Sequence, residues 1–209
     1  MYKGYDYRII PLPIIGYRNE KWSVLGPFIK YDALNVSDIT LSIQAAPRFQ
    51  GFNKSDSYIF ENMEKRKVSI DTGIGLSYEK QNWKINLSNM FDVLGNSNGY
   101  EAKANISRVF NYGSLFFEPK LSISYLNDTH VDYYYGVKPN EINAFIWTYQ
   151  GQSAINATIG LSLSTPVFFD GFTSLSLEYA KFDSGITQSP LVENDNNLNV
   201  RFLFSKFFE

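Results

Sequence analysis

The sequence predicts an all-β protein: a transmembrane antiparallel up-and-down barrel of about ten strands, ten to twelve at the outside, built from residues 1–209 as a single domain. Three observations predict it. Long segments alternate strictly between apolar and polar residues, the two-residue period of a strand whose faces meet different surroundings. Connections alternate between short and long, the asymmetry of an outer-membrane barrel with short periplasmic turns and longer extracellular loops. The composition joins 17 Phe, 15 Tyr and 3 Trp to a mean hydropathy of −0.23, as expected when an apolar outer band with aromatic girdles surrounds a polar interior.

Ten strands are expected, at 5–17, 20–31, 38–48, 67–79, 82–94, 99–111, 114–126, 153–166, 171–183 and 197–208. Between Val68 and Glu79 one face reads Val68, Ile70, Thr72, Ile74, Leu76, Tyr78 and the other Ser69, Asp71, Gly73, Gly75, Ser77, Glu79. Between Leu115 and Tyr125, Leu115, Leu121 and Ile123 oppose Glu118, Lys120, Ser122 and Ser124. From Ile155 to Thr165, Ile155, Ile159 and Leu161 oppose Asn156, Gly160 and Ser162. Connections at 32–37, 80–81, 112–113 and 167–170 would form one rim, and the longer ones at 49–66, 127–152 and 184–196 the other; short connections near 18–19 and 95–98 break the contrast. An even strand number places both termini at the short-turn rim. Tyr and Trp near strand ends, among them Tyr17, Trp22, Tyr31, Trp83, Tyr125 and Tyr179, suit the girdles. The last strand, Asn199 to Phe208, resembles the terminal aromatic signal of outer-membrane barrels, although Glu209 follows the aromatic.

A soluble sandwich or lipocalin-like barrel also alternates, with the apolar set pointing inward. Strands longer than the usual five or six residues, and small or oppositely charged residues on the polar faces, favour the membrane barrel. No apolar run of about 18 residues is available for a spanning helix. Zero cysteines exclude disulfides, thiolate metal sites and a cysteine nucleophile. A net charge of −2 supplies no field for nucleic acid. The first residues lack a basic region followed by an apolar one, so no signal peptide is expected within them.

Three motifs then stand out in order. Tyr2, Gly4, Tyr7 and Arg8 are followed by Pro11-Leu12-Pro13; Tyr135-Gly136-Val137-Lys138-Pro139 lies in a long loop; Ser189-Pro190-Leu191-Val192-Glu193 precedes the last strand. Together they resemble the MipA/OmpV family of Gram-negative outer-membrane proteins, over nearly the whole chain. The resemblance implies a barrel of the cell outer membrane, and a mature chain from which a leader has been removed. It implies a scaffold joining murein hydrolases and synthases to the outer membrane, or an envelope-stress or adhesion protein, in contact with outer-membrane lipid. A channel for small solutes is the alternative.

Each motif also has a plainer reading. Pro11 and Pro13 suit a local bend at a strand edge, and Ser189-Pro190 the entry to the last strand. Tyr133 to Glu141 could be an exposed recognition loop or could fold inward over the mouth. His130 is the sole histidine; with Asp128, Asp132, Ser122, Ser124 or Ser153 it could centre a rim hydrolase, but a lone histidine in a polar loop is more simply solvated. Glu193-Asn194-Asp195-Asn196-Asn197 lacks the ligand spacing of a calcium loop. No cofactor, metal or catalytic residue is expected. Candidate inward charges are Asp71, Glu79, Lys84, Glu101, Lys103, Glu118, Lys120, Glu178 and Arg201; mixed signs favour internal ion pairing in a narrow lumen over a selective ring.

Overall fold

In the computed structural model, the described residues are 2–4, 7–12, 16–167 and 172–205. The strands are β1 (Gly16–Arg18), β2 (Trp22–Leu25), β3 (Phe28–Val36), β4 (Ile39–Arg48), β5 (Ser69–Lys80), β6 (Trp83–Asp92), β7 (Tyr100–Arg108), β8 (Phe110–Tyr112), β9 (Leu115–Leu126), β10 (Ala154–Thr165), β11 (Phe172–Lys181) and β12 (Asn196–Ser205). They form one antiparallel sheet in the order β1-β2-β3-β4-β5-β6-β7-β9-β10-β11-β12, with the short β8 continuing the β7 edge against β9. Two helices, α1 (Asp128–Tyr135) and α2 (Ser184–Thr187), lie in the long connections.

Burial is inverted relative to a water-soluble sheet. On the face carrying small and polar side chains, Ser42, Ser69, Asp71, Ser77, Ser107, Ser122, Asn156 and Ser176 are buried. On the opposite face Ile43, Ile74, Leu121, Ile123, Ile155, Ile159 and Leu177 stand exposed; Ile159 is 58% accessible while Asn156, three residues earlier on β10, is 6%. The ladder aligns these outward residues into rows, Ile106 beside Leu121, Leu121 beside Ile159 and Ile159 beside Tyr179. A continuous apolar band of this extent far exceeds the patches of a few hundred Å² that water-soluble monomers tolerate. Hydrocarbon is the solvent it fits.

Local sequence explains several departures from the expected strands. Residues 20–31 are two strands rather than one: Gly26, at φ 57°, turns the chain with Pro27, and β3 then runs through the expected turn at 32–37 as far as Val36. Of the described residues in the expected 5–17 strand only Gly16 and Tyr17 are paired, at the start of β1, and residues 7–12 carry no regular structure; residues 5, 6 and 13–15 lie outside the described ones. Phe207 and Phe208 of the terminal signal also lie outside. The β5–β6 hairpin turns on Gln81 and Asn82, both at positive φ, as a two-residue hairpin requires. Eleven strands on the continuous path make β1 and β12 run the same way. Tyr2 therefore need not share the short-turn rim with the chain's end, and it pairs with Val192 among the long loops.

The hydrophobic core lies in those loops rather than between sheets. Phe52, Ile59, Phe60 and Met63 come from the β4–β5 connection; Val131, Tyr134, Tyr135, Val137 and Ile146 from β9–β10; Ile186, Leu191 and Val192 from β11–β12; all are buried together with Tyr2. Phe52 and Phe60 stack with centroids 3.9 Å apart, and Tyr2 meets both edge-on. The segment Tyr133 to Glu141 thus folds inward, with Tyr134, Tyr135 and Glu141 fully buried. A compact cap results at the long-loop rim.

One ion pair ties this cap together. Arg66, from the first long loop, donates to both carboxylate oxygens of Glu141 in the second, each at 2.8 Å. Its remaining donors reach the carbonyls of Tyr133 (2.6 Å), Glu64 (2.9 Å) and Gly136 (3.3 Å). Glu141 also accepts from the backbone N–H of Glu64 and Lys138. Both ions are therefore saturated with bonds, the condition under which burial of a charge pair is tolerated. Burial acts to raise the Glu141 pKa, but its bonds to Arg66 and to the two backbone amides prevail and hold it below the ordinary carboxylate range.

Three outcomes follow from this architecture. Ile159→Arg should lower folding stability in lipid vesicles by about 2–4 kcal/mol, whereas Ser176→Ala, which removes a bond to Ser162, should cost about 1 kcal/mol; urea unfolding in vesicles reads both, and a harmless arginine would contradict the outward apolar face. Glu141→Ala leaves Arg66 buried and unpaired and should destabilise the cap by about 3–5 kcal/mol, seen as proteolysis within residues 127–153 while the strands stay protected. Because the folded Glu141 pKa is depressed, its contribution is complete above the ordinary value of 4.5 and is lost as pH falls through the lower folded value. Acid should therefore loosen the wild-type cap, and a Glu141→Gln cap should show less of that response.

Candidate functional site

The three sequence motifs, far apart along the chain, meet in the cap. The Tyr2 hydroxyl donates to the carbonyl of Tyr134 at 3.0 Å, and its ring lies 5.6 Å from that of Tyr135. Lys3 N–H donates to Leu191 O at 2.9 Å. The Ser189 hydroxyl donates to Tyr135 O at 2.6 Å and accepts from Leu191 N–H. Pro190 is buried and Glu193 exposed. Gly136 closes α1: a Cβ there would lie 2.3 Å from the carbonyl oxygen of Asp132, which accepts the Gly136 N–H. Val137 pairs with Tyr149 on the far side of the same loop. Pro139 lines a surface hollow beside Val137. Gly4, at φ 65°, packs against Ser57 and Tyr58. Tyr7 is exposed, Arg8 donates to the carbonyls of Phe49 and Gly51, Pro11 is exposed without regular structure, and Pro13 is outside the described residues.

Beneath the cap lies a cavity of about 710 Å³. Phe28 at the start of β3, Arg48 on β4, Asp71 on β5, Glu101 and Lys103 on β7 and Asn197 and Asn199 on β12 all line it. Strands from both ends of the ladder reach one cavity, so the sheet curls around it. Arg48 bonds Asp71 (Nε to Oδ2, 2.7 Å) and Glu101 (2.9 Å), joining β4, β5 and β7 through charge. Deeper along the strands Lys84 pairs with Glu118 at 3.1 Å, and the Ser107 hydroxyl donates to the same carboxylate. Lys120 pairs with Glu178 across β10, where a Cβ on Gly160 would sit 3.2–3.3 Å from both side chains; Arg201 joins Glu178 from β12. Glu79 is exposed near the β5–β6 turn.

His130 is not solvated. Asn127 caps α1 by accepting from His130 N–H, which turns the ring inward until 1% of the residue is accessible. Its Nε2 lies 2.9 Å from Gln50 Oε1, and the Gln50 amide donates to the Tyr135 hydroxyl at 3.0 Å. Asp132 instead accepts from Gly151 N–H, and Asp128 from Thr129 N–H. The ring's neighbours are thus those of a structural bridge between cap and strand wall. Burial, aided by the positive charge of Arg48, lowers its pKa to about 3. Burial likewise raises the hydroxyl pKa of Tyr2, Tyr134 and Tyr135. Asp195 in the acidic tract is held low by Lys181, and no group of His, Asp and Glu suited to a metal occurs among the described residues.

Arg48, Gln50 and Arg66 escaped the sequence reading. Arg66 lies in an irregular loop where no period marks an inward position, and Arg48 at the rim-end of a strand beside Pro47. Their partners are 53 and 75 residues away, Glu101 and Glu141.

With its folded pKa depressed, His130 stays neutral at every pH from 8 down to about 4. The unfolded chain takes up a proton near 6.5 that the folded one refuses, so stability should fall as pH drops below 6.5 toward 3, with a slope approaching about 1.4 kcal/mol per pH unit. Imidazole NMR shifts and urea midpoints at pH 7, 6 and 5 check this; an imidazole titrating near 6.5 would contradict the buried placement.

Comparison with known proteins agrees with this architecture. The sequence model of the MltA-interacting protein MipA family matches residues 1–208. The outer membrane protein YiaT of Escherichia coli (strain K12) is 23% identical over 94% of this chain and 81% of its own length. The MltA-interacting protein of the same organism is 24% identical over 92% of this chain and 79% of its own, and OmpV of Vibrio cholerae is 23% identical over 69% and 56%. No solved structure matches. Relatives of the outer membrane and an inverted antiparallel sheet together make this an outer-membrane protein of the β-barrel class, and the chain belongs to the MltA-interacting protein MipA family.

Proposed function

We propose that this protein is a non-enzymatic outer-membrane barrel, closed at its loop rim, that serves as a scaffold holding murein-processing enzymes to the outer membrane. The observation that carries the first part is the cap. The motif residues Tyr2, Tyr135, Gly136 and Ser189 are spent on binding loop to loop around the Arg66–Glu141 pair. His130, the one imidazole, is neutral and bonded to Gln50. Mixed charges in the interior pair across strands, which suits rigidity of a narrow lumen rather than selection of one ion sign. The scaffold role is supported by the name of a 24%-identical relative, the MltA-interacting protein. Its partners would meet the rim opposite the cap, where short turns face the periplasm, while lipid covers the apolar band.

A second reading, a narrow path for small solutes, has one observation in its favour: the cavity under the cap, in which Lys103 and Arg8 stand beside Asp71 and Glu101. Planar-bilayer recordings separate the two. Wild-type protein should give no steady conductance, and Glu141→Ala should give intermittent openings as the cap loosens. Steady stepwise conductance from the wild type would replace the closed reading with the channel. Mild-detergent co-purification of the full chain with a lytic murein transglycosylase should retain the enzyme, and its consistent loss would contradict the scaffold.

A further inference from the structure

The outward face carries a feature that the cap does not use, floored by the ladder row Ser107, Lys120, Gly160 and Glu178. An apolar groove of about 750 Å³ crosses it. One ridge is the ladder row Ile106, Leu121, Ile159, Tyr179 and Leu198. The other runs through Pro119, Leu161 and Leu177. From β7 to β12 the row crosses four strand spacings, about 19 Å, a length that accommodates one acyl chain of a common phospholipid. At the β7 end, near the short-turn rim, Arg108 closes the groove. Its guanidinium carbon lies 5.2 Å from the Trp83 ring centroid and 5.1 Å from that of Phe110. The two rings hold the cation in place, and among the described contacts no carboxylate faces it.

We propose that this groove is a binding site for an anionic phospholipid of the leaflet at the short-turn rim, with one acyl chain along the groove and the phosphate on Arg108. The chemistry is complementary at both ends. An apolar trough open to hydrocarbon takes the chain, and a guanidinium at interface level with free fork donors takes a phosphate in bidentate fashion. Trp83 belongs to the interfacial girdle, which sets Arg108 at headgroup height. The aromatic contacts keep the fork pre-organised without neutralising it.

Native mass spectrometry of the full chain, equilibrated in detergent with equal palmitoyl-oleoyl phosphatidylglycerol and palmitoyl-oleoyl phosphatidylcholine, tests the site. Wild-type protein should retain one phosphatidylglycerol with about fivefold preference, the effect of one interfacial cation. Arg108→Gln should abolish the preference, Arg108→Lys restore part of it, and Leu161→Trp, which fills the trough, weaken both lipids. Heat-modifiable gel migration confirms that each variant is folded; Arg108 is exposed, so its variants keep the test decisive if the tryptophan misfolds. Equal retention of the two lipids by the wild type, or an unchanged preference in Arg108→Gln, would overturn the proposal. So would full displacement of phosphatidylglycerol by millimolar inorganic phosphate, which would make Arg108 a free-phosphate site.

Discussion

Hydrocarbon offers no hydrogen-bond partner, and that single constraint organises this protein. It drives the spanning backbone groups to pair strand to strand along the ladder, as β3 to β11 on the continuous path do on both sides. It pushes Ile74, Leu121 and Ile159 outward and leaves serines, asparagines and charges facing in. The interior is then too polar to supply a dry core, so the side chains there satisfy one another by ion pairs that skip one or two strands, Arg48 to Glu101 over β5 and β6, Lys84 to Glu118 over β7, Lys120 to Glu178 over β10. Gly160 shows how closely backbone and side chain are matched, since any larger residue there would press against the Lys120–Glu178 pair.

A barrel without an apolar interior must find rigidity elsewhere, and here the long loops provide it. Three connections and the N-terminal residues pool their aromatics into a core over the mouth. The buried Arg66–Glu141 pair gives that core its register: an arginine with every N–H used fits one arrangement of the loops and no other. Through Gln50 the cap is bonded to His130 and Tyr135 on one side and to Arg48 on the strand wall on the other. The cap is thus an extension of the barrel's own polar network.

Much of this was legible in the amino-acid order, for a physical reason. Two different solvents on the two faces of a strand impose a two-residue period, so β4, β5, β6, β9, β10, β11 and β12 stand out within a few residues of their ends. The division at Gly26-Pro27 was written in the chain, but alternation on either side concealed it. The cap was not legible, because loops have no period and the contacts that define it join residues such as Arg66 and Glu141 or Tyr2 and Tyr134 across most of the chain. The same blindness made His130 look solvated: its neighbouring aspartates are polar, but the Asn127 cap turns its ring the other way. The three motifs were visible as motifs, and only the fold shows that they are one cluster.

The apolar face of the sheet lies in lipid and the polar face does not. The absence of cysteine from the chain allows a direct measurement: a single spin label placed in turn at Ile155, Asn156, Ala157, Thr158, Ile159, Gly160 and Leu161 of β10 in reconstituted vesicles, with collision rates read for oxygen, which concentrates in hydrocarbon. High oxygen accessibility is expected at 155, 157, 159 and 161 and low accessibility at 156, 158 and 160. The opposite phase, or no two-residue period at all, would rule out this placement of the sheet.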